Sequence, residues 1–250
     1  MKTIRDPVWE DFRRAAVALD VPLDDDALRK FQAYTIALQE VGFNITALRE
    51  TEAIITKIHL DSLALLAPVA KAAKLSVHEL RQQRWRALDV GSGAGAPGLP
   101  WQIVCPHMQF TLVDSIHKKV DFLHAVIQTL ALPATAVQAR AETLAHDPEH
   151  REQYDLVMAR AVAALPTLVE YTLPFARIGG LVALPKGPRA QAECDAAQKA
   201  IATLGGELLG VFPLTIPGDD VRRTLTLLRK HQPTPSSYPR RVGIPAKRPL

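Results

Sequence analysis

Cysteine is scarce in this chain. Its two thiols, Cys105 and Cys194, lie far apart and form no Cys-x-x-Cys pair, which argues against a disulfide framework or a zinc site and leaves two buried thiols as the expectation. Long apolar runs are lacking too, since no window reaches the roughly 18 consecutive apolar residues of a membrane span. The start, Met1-Lys2-Thr3-Ile4-Arg5-Asp6-Pro7, has no apolar core behind its charges, so no secretory leader is expected and the protein is placed in the cytoplasm. Acidic residues are missing from the last 30 positions. Val221 to Leu250 carry eight Lys or Arg (Arg222, Arg223, Arg229, Lys230, Arg240, Arg241, Lys247, Arg248), so a net charge of +4 hides −4 over the first 220 residues and +8 over the rest. Such a block points to a polyanionic partner, such as nucleic acid. Aromatics are only 6%, but 48% hydrophobic and 22% charged residues over 250 positions describe a folded soluble chain with a large core, not disorder, a collagen-like repeat or a stapled mini-protein.

Three regions follow one another. Residues 1–84 read as a helical cap: Leu28, Phe31, Thr35, Leu38 and Val41 recur at spacings of three and four behind Asp24-Asp25-Asp26, with Gly42 as the stop. A second helix is expected from a capping Thr51 through Ile54, Ile55, Ile58 and Leu65 to the breaker Pro68. Residues 85–231 alternate strand-like runs (Arg86 to Val90, Gln109 to Val113, Thr135 to Gln138, Asp155 to Met158, Leu181 to Leu184) with helical ones (Leu99 to Val104, Ile116 to Leu130, Leu165 to Phe175, Ala190 to Leu204), which predicts an α/β fold with a mostly parallel sheet. A hairpin of Glu207 to Leu214 and Arg223 to Leu228 around Pro217-Gly218-Asp219-Asp220 closes it. Residues 232–250 hold five prolines and read as an extended, solvated basic arm.

The densest signal is Leu88-Asp89-Val90-Gly91-Ser92-Gly93-Ala94-Gly95-Ala96-Pro97-Gly98-Leu99-Pro100, between the first strand and a helix. Its glycines allow a tight turn and close approach of a ligand. Gly93-x-Gly95-x-x-Gly98 also fits a dinucleotide fingerprint, yet Asp89 at the strand's carboxyl end disfavours a pyrophosphate there and favours a cation. The ammonium and sulfonium of S-adenosylmethionine suit it better than NAD. Asp114 ends the second strand, where a carboxylate can accept both ribose hydroxyl hydrogens, and Ala141-Glu142, after the third, lies where the adenine edge would be read. The fourth strand ends in Met158-Ala159-Arg160 and lacks the Asn/Asp-Pro-Pro-Tyr/Phe sequence that grips an exocyclic amine, while both cysteines fall in predicted helices, away from a loop tip where a pyrimidine nucleophile would sit. A ring nitrogen such as guanine N7, with its own lone pair, remains attractive and needs no general base. His59 and Asp61, two apart on a helix, do not share a face and form no metal motif. An NAD-dependent oxidoreductase, a non-catalytic ribosome-assembly or RNA-binding factor, and a small-molecule methyltransferase are the competing readings; the first lacks a Tyr-x-x-x-Lys pair and the last leaves the +8 terminus unused.

Several motifs in order make the chain resemble the bacterial small-subunit ribosomal RNA guanine-N7 methyltransferase family, also called glucose-inhibited division protein B. They are Asn44-Ile45-Thr46, His59-Leu60-Asp61-Ser62, the loop Asp89 to Pro100, Leu112-Val113-Asp114-Ser115 with Lys118-Lys119, Ala159-Arg160-Ala161, Leu184-Pro185-Lys186-Gly187 and the stretch Tyr238 to Leu250. The resemblance implies a class I, Rossmann-like methyltransferase fold with a mostly parallel seven-stranded sheet and an N-terminal helical extension. It also implies methyl transfer from S-adenosylmethionine to a guanine of 16S rRNA. By position it marks Gly91, Ala96, Ala141, Glu142 and Arg160 as cofactor contacts, beside Asp89, Gly93 and Asp114 from the residues themselves; Ala96, smaller than in many members, would offer its backbone. Arg160 faces either the donor or a phosphate and, with Lys186, is a positioning candidate. Lys186, Arg240, Arg241, Lys247 and Arg248 are the expected RNA contacts. The expected partner is ribosomal RNA or the small subunit, with no metal and no membrane, and the protein is expected to be a monomer.

Overall fold

The computed structural model describes residues 6–250; the stretch 1–5, on which the leader expectation rests, lies outside them. The helices α1 (Pro7–Ala18), α2 (Asp25–Glu40) and α3 (Thr51–Ile54) come first. A π-helical stretch (Ile55–Leu60) continues α3 into α4 (Asp61–Leu63), and α5 (Leu66–Ala73) and α6 (Val77–Arg81) follow. Local chemistry sets their starts. The Asp6 carboxylate accepts from Val8 N at 3.2 Å with Pro7 in the first turn, Asp24 accepts from Ala27 N at 2.7 Å, and Ser76 with Glu79 closes a reciprocal capping box. Thr51 departs from expectation: it is already helical, and its hydroxyl instead accepts from Gln39 Nε2 at 3.2 Å. Pro68 does not break the run. The interruption falls at Ala64 and Leu65, and Pro68 sits in the first turn of α5, where no intrahelical donor is needed. The span Thr51–Ala73 is long and apolar enough to cross a membrane by composition, yet 72% of its most apolar window is buried within this molecule.

The alternating units are β1 (Arg86–Val90), α7 (Gly98–Val104), β2 (Gln109–Asp114), α8 (His117–Thr129), β3 (Ala134–Gln138), α9 (Ala141–Leu144), β4 (Tyr154–Met158), α10 (Leu165–Thr172), β5 (Ala176–Lys186) and α11 (Ala190–Thr203), closed by the hairpin β6 (Gly206–Ile216) and β7 (Asp219–Lys230) and a last turn α12 (Ile244–Lys247). The sheet order is β3-β2-β1-β4-β5-β7-β6, parallel from β3 through β5 and antiparallel at β7 and β6. The strand order reverses between β1 and β4, the place where open α/β sheets leave a crevice at the carboxyl ends of their strands.

Alternation along each strand divides two cores. Ala87, Phe110, Leu112, Leu156, Met158, Ala183 and Leu227 pack with α7, α8 and the N-terminal helices, while Leu88, Val90, Val113, Val157, Val182 and Leu228 pack with α9, α10 and α11. The N-terminal helices therefore complete a layer of the sandwich. Trp101 Nε1 donates to Ser62 O at 2.8 Å and the Tyr34 hydroxyl to Ala94 O at 2.6 Å, tying that layer to the glycine loop. Cys105 and Cys194 are both buried, and burial pushes the Cys105 thiol up to about 12.

Residues 232–250 do not extend into solvent as the prolines suggest. Arg151 donates to the carbonyls of Thr234, Pro235 and Tyr238, His146 Nε2 lies 2.8 Å from Pro239 O, and the Thr167 hydroxyl donates to Pro245 O at 3.1 Å. The segment is laid across α9 and α10.

Candidate functional site

The first residues of the glycine loop are pinned to the end of β2. Gly91 N and Ser92 N donate to Val113 O at 2.8 and 2.9 Å, and Gly93 N donates to Asp114 Oδ2 at 3.0 Å. Gly91, at φ +70, holds a conformation strained for any other residue, and a Cβ there would stand 2.6 Å from Val162 Cγ2. Gly98 is as constrained. A Cβ there would meet Leu112 Cδ2 at 2.4 Å and Asp89 Oδ2 at 2.9 Å. Gly98→Ala should therefore lower the unfolding temperature, with an overpacking cost of about 1–3 kcal/mol; an unchanged calorimetric transition would contradict this packing.

Asp89 shares a sheet face with Ala87 and is fully buried. Its Oδ2 accepts from Gly98 N at 3.0 Å, whereas Oδ1 is a buried carboxylate oxygen with no partner. Burial pushes this carboxyl up to about 7, against the opposing Gly98 N–H and the nearby Arg160. An orphaned buried acceptor is costly, and the group that satisfies it must bring a hydrogen-bond donor or a positive charge.

At the carboxyl ends of β1 to β4 a cavity of about 300 Å³ opens, walled by Gly91, Asp114, Ala141 and Glu142 among the expected residues. Asp114 accepts from Gly93 N and Ile116 N, both at 3.0 Å, and has Lys119 Nζ at 3.7 Å. A carboxylate offers about four acceptor positions, so two stay open for a diol. Asp89, Gly93 and Ala96 stand outside the cavity wall: Gly93 serves it through Asp114, and Ala96 is buried. Sequence reasoning missed Val162, Tyr171, Lys119 and Arg140, which line the cavity. The signals that could have found two of them are close by in the chain: Lys119 belongs to the Lys118-Lys119 pair behind Asp114, and Val162 lies one position beyond the motif Ala159-Arg160-Ala161.

Arg160 turns toward the N-terminal helices. Its Nη1 donates to Asp61 Oδ2 at 2.8 Å and to Lys57 O at 3.0 Å, and Asp61 also receives Arg223 Nε at 2.7 Å. His59 instead packs separately, fully buried, with Nε2 2.7 Å from the Thr35 hydroxyl and burial pushing it down to about 3.

Two expected RNA contacts are redirected inward. Lys186 Nζ donates to Ala163 O at 2.7 Å and to Glu193 Oε2 at 2.9 Å, fastening the loop between β4 and α10. Arg240 grips Glu170, whose side chain is fully buried, through N, Nε and Nη2 at 2.6 to 3.2 Å. The causes differ: the fully buried Glu170 carboxylate demands a cation and draws Arg240 in, whereas Lys186 is held by a carbonyl and a partly exposed carboxylate that lie beside it. Arg241, Lys247 and Arg248 remain exposed.

Residues 27–217 match the family model for rRNA small subunit methyltransferase G, GidB. Curated relatives named ribosomal RNA small subunit methyltransferase G include one from Roseiflexus castenholzii, 43% identical over 244 residues, covering 96% of this chain and 99% of that protein. Another, from Deinococcus radiodurans, is 41% identical, covering 96% and 92%. Among solved structures, a predicted O-methyltransferase from Agrobacterium tumefaciens superposes at TM-score 0.52 with 20% identity, covering 70% of this chain and 82% of that one. A branched-chain polyamine synthase from Thermus thermophilus superposes at 0.55 with 13% identity, covering 82% and 65%. At these identities the structures show a shared fold alone.

Proposed function

The chain belongs to the rRNA small subunit methyltransferase G family, GidB, and from that premise we infer that it transfers the methyl group of S-adenosylmethionine to N7 of a guanine in 16S rRNA. The observation that carries the donor assignment is Asp89 Oδ1, buried and unpartnered behind a glycine loop at the carboxyl end of β1. It is suited to the ammonium of the methionine portion.

S-adenosylmethionine supplies a methyl group on a positively charged sulfur, and an acceptor lone pair in line with that bond completes the transfer. In this reading Asp114 orients the ribose through its open acceptor positions. Gly91 lines the cavity, the Gly93 N–H sets the Asp114 carboxylate, Ala96 offers backbone, and Ala141 with Glu142 faces the adenine edge. Arg160 has Nε and Nη2 outside its bonds to Asp61 and Lys57, so it can still meet a carboxylate or a phosphate at the junction of donor and acceptor. No residue is asked to remove a proton, because the guanine nitrogen attacks with its own lone pair and the gain comes from orientation. A ribosomal substrate supports action in the cytoplasm.

Arg241, Lys247 and Arg248 are the RNA contacts this reading keeps in the C-terminal segment. Changing all three to Gln should lower RNA affinity and reduce the log–log salt slope by about 2–3, at roughly 0.7–0.9 for each phosphate no longer neutralised, while leaving donor binding unchanged. An unaltered slope would remove the segment from the RNA surface. The function itself is tested by transfer of labelled methyl from S-adenosylmethionine to small subunits and rRNA from cells lacking the protein, with tRNA as the comparison. Label in 16S rRNA that disappears with Asp114→Ala is expected; label only in tRNA, or none, overturns the reading.

A further inference from the structure

The C-terminal segment reaches the donor cavity itself. Gly243 N donates to Glu142 Oε1 at 3.0 Å, and Glu142, 6% exposed, forms part of the cavity wall. Behind it lies an open hollow of about 580 Å³ bounded by Thr143, His146 and residues of the segment, so the side chain stands as a partition between cavity and segment. A second anchor acts on the adjacent wall: Arg240 holds Glu170 on α10, and the next residue, Tyr171, faces the cavity beside Glu142. Gly243 is suited to this contact because it sits at φ +80, a left-handed conformation that glycine takes without strain.

We propose that residues 239–250 are a positioning element of the donor site, with the Gly243 N–H fixing the Glu142 carboxylate against the adenine edge and the Arg240 clamp holding α10 behind it. This inference rests on the assignment of the cavity to S-adenosylmethionine. A carboxylate held by a backbone N–H loses freedom before the ligand arrives, so less ordering is needed on binding and the adenine amino group meets an acceptor already aimed. The same segment displays Arg241, Lys247 and Arg248, so the element that would meet RNA is also the one that shapes the adenine wall.

Equilibrium binding of S-adenosylhomocysteine and of S-inosylhomocysteine, which lacks the adenine amino group, tests this on three proteins: the full chain, a chain ending at Tyr238, and Gly243→Pro. The proline removes the N–H and cannot take φ +80, while the Arg240 clamp is kept. The expected result is an affinity for S-adenosylhomocysteine about tenfold weaker in both variants, the worth of one hydrogen bond to a charged group, and a smaller preference for the adenosyl over the inosyl ligand. Unchanged affinity and preference in a folded variant overturn the inference. Weaker binding with the preference intact also overturns it, because it reduces the segment to general support. Should the shortened chain fail to fold, Gly243→Pro decides. A full chain that binds neither ligand overturns the assignment of the cavity itself, an outcome distinct from the others because it appears before any variant is compared.

Discussion

Asp89→Asn is expected to weaken S-adenosylhomocysteine binding about a hundredfold while leaving the protein folded, since removing one member of a buried charge pair costs roughly 2–5 kcal/mol of affinity. The asparagine carbonyl can still accept from Gly98 N, so the loop geometry is retained, but the negative charge that answers the methionine ammonium is gone. The pH dependence gives a second signature. Burial raises the Asp89 pKa from 3.8 to about 7 in the free protein, so the folded state holds a proton that the unfolded chain releases at lower pH. The stability from this group is then fully present below about 4 and lost as pH rises through about 7. Ligand binding runs the other way, because a cation favours the ionised carboxylate: affinity should climb with pH toward about 7, by up to about tenfold per unit, and then level off. Titration calorimetry at several pH values should show that rise in the wild type and its absence in Asp89→Asn. Parallel profiles would separate Asp89 from the ligand.

Arg240→Ala carries the second large effect. Glu170 is fully buried and accepts only from Arg240 among its described hydrogen bonds. Alanine keeps the backbone N–H at position 240 but takes away the guanidinium that neutralises the buried carboxylate, at a cost of about 3–5 kcal/mol, which corresponds to a fall of about 10 °C in unfolding temperature for a chain of this size. Its neighbour Arg241 is exposed. Arg241→Ala should move stability by no more than about 0.5 kcal/mol and act on RNA affinity instead. Two adjacent arginines would then report opposite quantities, and the reverse pattern would contradict the docking of this segment.

β1, β2 and β4 were legible because buried strands write short apolar runs, and β3, a partly exposed edge strand, from its place between two helical stretches; all four lie within a residue of their expected bounds. β5 begins five residues earlier than Leu181, where Arg177-Ile178-Gly179-Gly180 breaks the pattern at an irregular pairing with β4. The glycine loop and Asp114 were legible for a different reason, since their spacing reflects strand-to-helix turns that are local in sequence. The fate of the basic residues was not. Arg240 meets Glu170 across 70 positions, Gly243 meets Glu142 across 101, and Arg160 meets Asp61 across 99. No periodicity records such a pairing, so proline and positive charge read locally as a solvated arm. Lys186 misled differently: Glu193 lies only seven positions on, but the turn that brings it and the Ala163 carbonyl to the lysine is set by the packing of the following helix, which spacing alone does not record.

Methylation of guanine N7 is tested most directly by strand cleavage at N7-methylguanine in 16S rRNA. Small subunits from cells lacking the protein would be incubated with S-adenosylmethionine and either the wild-type chain or Asp89→Asn, and their RNA then reduced and cleaved with aniline. One new cleavage site, present with the wild type and absent with Asp89→Asn, is the predicted result. Methyl incorporation into the RNA without any new cleavage would contradict N7 as the acceptor, because the methyl group would then lie on another atom.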